Sequence, residues 1–205
     1  MRGFISTVAV VAFLALPSRV TATTVTIDFD ALASLDVVTN QFAGVTFSNA
    51  TVLTAFDSLN EVDFPPHSYN NVVGDDGAPI ELTFSTPVTL FSGFFTYATQ
   101  LTLQAYDTAN VALTPVLSFF SSNTLLGGDI GSSPNELIQV ALSAGISRIV
   151  LTGDAAGGSF VLDDVSFTPQ ADTEPPVGTP VPEPGTIVLV GLAGARLLVK
   201  KRARR

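Results

Sequence analysis

Apolar and polar residues alternate with a period of two through most of the chain. Val25, Ile27 and Phe29 are separated by Thr26 and Asp28, which is the mark of a strand with one buried face. Gly44–Ser48 and Thr51–Phe56 repeat the theme, and Ile80–Ser85 and Pro87–Tyr97 form two further runs joined at Thr86-Pro87. Gln100–Asp107 and Ala112–Phe120 read as a hairpin about Thr108-Ala-Asn110. Leu137–Leu142, Arg148–Gly153 and Ser159–Thr168 close the series, with turns at Ser143-Ala-Gly145 and Asp154–Gly158. Asp57–Gly77 and Ser121–Asn135 are longer polar loops. Short β-branched and aromatic runs between turn signals predict an all-β domain, a single antiparallel β-sandwich of jelly-roll type. Helical character is confined to the two ends.

Those ends differ from the body. Residues 1–22 carry Arg2, an apolar run Phe4–Leu16 and a small-residue exit Val20-Thr21-Ala22, the layout of a secretory signal peptide cut after Ala22. The domain then runs over 23–169. Residues 170–180, rich in Pro, Gly and Thr, form an extended linker. Residues 181–205 begin Val181-Pro182-Glu183-Pro184, and the fixed φ and missing donors of the two prolines keep the backbone out of a helix there. An apolar segment follows, Ile187, Val188, Leu189, Val190, Leu192, Leu197, Leu198 and Val199, and then Lys200, Lys201, Arg202, Arg204 and Arg205. A helix over 187–199 spans about 20 Å, short of the roughly 30 Å of a hydrocarbon core. Arg196 also interrupts it. The basic cluster is expected to stay cytoplasmic.

The Pro182-Glu183-Pro184 triplet, the Gly191/Gly194 apolar segment and the terminal basic cluster resemble the PEP-CTERM sorting signal of Gram-negative, exopolysaccharide-producing bacteria. The resemblance covers about 25 residues at the extreme end of the chain. It implies export by signal peptidase and the secretion machinery, transient anchoring in the inner membrane, and cleavage by an exosortase. The implied destination is the cell surface or the extracellular matrix. What the exported domain does there is a separate question.

Composition narrows that question. Eight of the nine basic residues lie in the two ends, leaving Arg148 in the body, whereas all 18 acidic residues lie between Asp28 and Glu183. The exported part is thus more acidic than the formal −9 of the whole chain. Such a body has nothing with which to neutralise phosphates, which excludes a nucleic-acid partner. The chain has no cysteine, so disulfides, thiol catalysis, zinc fingers and Fe–S clusters are excluded, and the fold rests on packing, or on packing and metal.

Asp28-Phe-Asp30, Val38–Phe42, Gly44–Phe47 and the closing Ser159–Val165 resemble the exported domain common among PEP-CTERM proteins. The Asp163-Asp164 strand is similar to strands of carbohydrate-binding jelly rolls, in which a metal at such a place is structural. On a strand Asp28 and Asp30 share a face. Asp163 and Asp164 point to opposite faces of a strand apolar on both, so one of them is buried and needs a cation or several donors. With first and last strands side by side, Asp28, Asp30, Asp163 and Asp164 could hold one Ca²⁺. The alternative is that they accept backbone hydrogen bonds.

Other candidates are weaker. Asp57, Glu61, Asp63, Asp75 and Asp76 read as a solvated loop. His67, the one histidine, reads as a surface residue, and no Gly-x-Ser-x-Gly elbow accompanies it. Spread carboxylates give no glycosidase pair. Sugar platforms expose Trp or Tyr. This chain has no Trp, and Tyr69 is the best exposed candidate. The expectation is an exported, non-catalytic surface or matrix protein associated with exopolysaccharide. The alternatives are a carbohydrate-binding module with structural calcium and, behind that, a secreted hydrolase.

Overall fold

The β-branched and aromatic runs pair into one antiparallel, all-β arrangement. A computed structural model describes residues 22–171 in this way, and the signal and sorting segments expected from the sequence lie outside the described residues. Ten strands occur among the described residues: β1 (Val25–Ile27), β2 (Val37–Val38), β3 (Val45–Ser48), β4 (Ala50–Thr54), β5 (Asn71–Asp75), β6 (Ile80–Tyr97), β7 (Thr102–Asp107), β8 (Val116–Leu117), β9 (Glu136–Thr152) and β10 (Phe160–Pro169). No helix occurs among the described residues, so none is long and apolar enough to cross a membrane.

Two long strands organise the sheet. β6 and β9 pair along nearly their whole length, from Ile80 opposite Leu151 to Phe95 opposite Glu136. The expected breaks at Thr86-Pro87 and Ser143-Ala-Gly145 are bulges, with register shifts on either side of Val88 opposite Ile146. A proline fits there because no ladder donor is required. Gly145 takes a φ of +98° and approaches Pro87 so closely that a Cβ would sit 2.8 Å from the Pro87 ring. Two short strands were also not expected: β2, and β5, which lies within the stretch read as the loop Asp57–Gly77.

The bulges divide the sheet into two arms. Before them β6 takes β3 on its free edge, and the far end of β9 takes β7 and then β8. After them β6 takes β10, whose outer edge pairs β5 at Val161–Leu162 and β1 at Val165–Phe167. β4 and β2 continue beyond β5.

The inner faces of both arms meet in one core. Phe84 of the first arm lies 6.3 Å from Phe91 and 5.2 Å from Phe167 of the second, centroid to centroid. Phe29, Phe47, Phe95, Phe160, Ile146 and Leu162 are fully buried around them. Such side chains each contribute roughly 1.5–3 kcal/mol on burial.

Candidate functional site

The outer faces of the two arms differ in chemistry. Antiparallel partners point to the same side of a sheet, so the register sets out each face row by row. In the second arm one row is Thr26, Ser166, Ser92 and Gln139, across β1, β10, β6 and β9. The next is Thr168, Leu90 and Ala141, with Thr24 joined to Thr168 hydroxyl to hydroxyl at 2.8 Å. Thr26 and Ser166 are joined likewise at 2.8 Å. Strands lie about 4.8 Å apart, so the hydroxyls form a regular, partly exposed lattice. No ionisable side chain interrupts these two rows. The outer face of the first arm instead carries Glu81 paired to Arg148 at 3.1 Å, with the guanidinium 3.7 Å above the Tyr106 ring.

A clasped loop borders the hydroxyl face. β10 bulges between Asp163 and Ser166, and Asp164 has a φ of +44°. The bulge brings both carboxylates to one loop, where the sequence reading placed them on opposite faces. Asp163 is 1% exposed. It accepts from the His67 N–H (2.8 Å), the Ser68 N–H (2.9 Å) and its neighbour's N–H (2.7 Å). Burial pushes its carboxyl up to about 6; the Ser68 N–H opposes this, and the Asp164 charge adds to it. Asp164 accepts the Ser68 hydroxyl at 3.0 Å and meets His67 Nδ1 at 2.6 Å. The His67 ring stacks on Phe94 with centroids 3.5 Å apart and planes 8° from parallel.

The other end of the loop is held by β1's continuation. Asp30 Oδ1 accepts the N–H groups of Asn70 (3.2 Å) and Asn71 (3.1 Å). The Asn71 amide donates to the carbonyls of Phe29 and Leu32. Asn135 donates to the Pro65 carbonyl at 3.2 Å from below. Between these fixings stands Tyr69, 83% exposed with a φ of +40°. An aromatic ring is thus presented on a rigid support at the margin of the face.

This geometry settles where the sequence candidates go. The first and last strands pair, as expected. Asp28 caps its own turn, accepting the Asp30 N–H at 3.2 Å. Asp30 clasps residues 70–71, while Asp163 and Asp164 clasp residues 67–68. Their oxygens are therefore taken up by N–H and O–H donors, the hydrogen-bond alternative, except Asp30 Oδ2, which is buried and without a partner. Among the described residues no group of three or more His, Asp or Glu side chains converges as metal ligands do. A shared four-aspartate Ca²⁺ site does not fit this donor pattern.

Arg148, the one basic residue of the body, pairs with Glu81 and not with the buried aspartate. The buried Asp163 takes backbone N–H groups alone, and the His67 imidazole meets Asp164, a role the sequence did not reveal. Ser68 and His67 bind the same carboxylate rather than each other, so the trio has no relay from serine to imidazole. Asp75, read as solvated, accepts the Gly158 N–H at 2.7 Å and ties two turns together. Burial raises its carboxyl above the usual range.

No family model matches the chain, and no curated protein matches it. Solved structures give partial likenesses. The K2 cleaved adhesin domain of Lys-gingipain is 13% identical, with a TM-score of 0.46 over 71% of this chain and 99% of that one. The CBM22-1 xylan-binding domain from Paenibacillus barcinonensis is 11% identical, with a TM-score of 0.38 over 74% and 97%. The GH26-CBM35 β-(1,4)-mannanase of Podospora anserina is 18% identical, with a TM-score of 0.36 over 75% of this chain and 29% of that one.

Proposed function

We propose that the chain is an exported, non-catalytic, glycan-binding module on a jelly-roll-like β-sandwich, sorted by its C-terminal segment to the cell surface or exopolysaccharide matrix. The observation that carries the glycan reading is the charge-free hydroxyl face of β1, β10, β6 and β9. A polysaccharide is itself a lattice of hydroxyls. Thr24, Thr26, Ser92, Ser166, Thr168 and Gln139 offer donors and acceptors to it without a charge to desolvate. Tyr69, on its clasped loop, supplies an apolar ring for a sugar face. With no Trp in the chain, affinity per sugar unit is low, and retention comes from repeated contacts along one polymer.

The same surface argues for the class of glycan. The body holds one arginine, so polyuronates are repelled and neutral polymers are preferred. A panel of neutral, amino-sugar and uronate polysaccharides tests this. Binding is expected to neutral polymers and to weaken on Tyr69→Ala. Absence of binding to every polymer would leave the matrix reading without its ligand.

A further inference from the structure

We infer that the outer edge of β9 over Glu136–Ala144 is a self-association surface, where a second copy of this chain adds its own β9 antiparallel. β6 covers one edge of β9 throughout, but β7 joins the other edge only from Ile146 onward. Among the described residues no strand pairs with the outer edge of Glu136–Ala144. Gln170 reaches only its end, donating to the Ser143 carbonyl at 3.2 Å. The backbone donors and acceptors that point outward from this stretch form a template for another strand.

No charge and no proline blunts this edge between Leu137 and the bulge at Ser143-Ala-Gly145. The stretch from Leu137 to Ser147 contains no proline and no ionisable side chain. Leu137 is 51% exposed, and Gln139, Ala141, Ser143 and Ala144 are exposed beside it. The other outer strands are protected in the usual ways. β2 and β8 are two residues long and β1 three. Asp36 adjoins β2 and Asp28 adjoins β1. The outer side of β3 is engaged where the Phe47 N–H meets the Thr39 carbonyl at 2.7 Å.

Charge selects the occupant. Three of the 18 acidic residues lie past Ala171 (Asp172, Glu174 and Glu183), so fifteen face one arginine in residues 22–171. Two such bodies repel, and least where they meet along a stretch that carries no carboxylate of its own. Leu137–Ala144 of β9 is such a stretch. The one acid at its end, Glu136, is turned inward to the Tyr97 hydroxyl and the Phe119 N–H. A basic peptide finds no counter-charge here, whereas an identical neutral strand fits. Antiparallel pairing about a two-fold axis is self-complementary and brings no like charges opposite each other. It also extends the rows Thr26–Ser166–Ser92–Gln139 and Thr168–Leu90–Ala141 without interruption into the second copy.

Sedimentation of the purified full chain over a concentration series, with amide exchange on the same samples, tests the inference. The expected result is a mass that doubles with concentration while the amides of Leu137–Ala144 become protected in step. Gln139→Lys, a charge on an exposed edge position, is expected to abolish both changes and to leave the melting temperature of the dilute, monomeric protein unaltered. A monomer at every concentration overturns the inference. So does a dimer that keeps these amides unprotected and survives Gln139→Lys. Protection that is already complete in the monomer also overturns it, since another part of the same chain would then occupy the edge.

Discussion

Asp163 shows how a single residue sets the shape of the site. Its carboxylate is buried, yet it accepts three N–H groups, and these hold the loop that carries Tyr69. The folded protein holds its proton more tightly than an unfolded chain does, because burial lifts the carboxyl from 3.8 to about 6. The associated stability is present below the ordinary value and lost as pH rises through about 6. Asp163→Asn keeps an acceptor oxygen and removes this titration. Melting curves across that pH range should show the variant gaining on the parent protein as pH rises; a difference that stays constant with pH would refute the assignment. That at least one of Asp163 and Asp164 is buried was legible, since their strand is apolar on both faces; which one was not. The link from Asp163 to His67 was not legible either, because 96 residues separate them and only the bulge at Asp164 aims both carboxylates at one loop. The same saturation of donors bears on calcium. Melts in calcium and in chelator should superimpose, whereas a calcium-dependent rise lost in Asp30→Asn would place a cation at the unpartnered Asp30 oxygen.

At the scale of elements, most strands were legible from alternation, and so were the β1–β10 and β7–β8 pairings, but the strand lengths and the other partners were not. Thr86-Pro87 and Ser143-Ala-Gly145 have the composition of turns, and opposed bulges use the same residues. The consequence is a continuous β6–β9 ribbon that passes through both arms. The hydroxyl face was hidden for a related reason. Each strand contributes at most two Ser or Thr positions, β9 none, and the rows exist only in the register. Gly93 tests the packing beneath that face. A Cβ there would lie 2.5 Å from Leu162 Cδ1 and 3.2 Å from Phe95 Cε2. Gly93→Ala should therefore cost about 1–3 kcal/mol in denaturant unfolding. A cost near zero would mean that the β6–β10 interior has room that this packing denies.

The whole molecule combines an acidic body with one neutral face and one neutral edge. On this account charge keeps copies soluble and apart, the neutral face meets the polymer, and the neutral edge sets the geometry of pairing. On the proposed reading the C-terminal segment determines where this happens. Removing residues 181–205 should release the protein from the membrane fraction with its melting temperature unchanged, and loss of folding in that truncation would make the segment part of the domain. The glycan claim is tested most directly by calorimetric titration of a neutral polysaccharide into the parent protein and into Ser92→Glu, which sets a charge in the middle of the hydroxyl rows. The account predicts weak, saturable binding by the parent and none by a fully folded Ser92→Glu. Equal binding by the two proteins, or none by the parent, would contradict it.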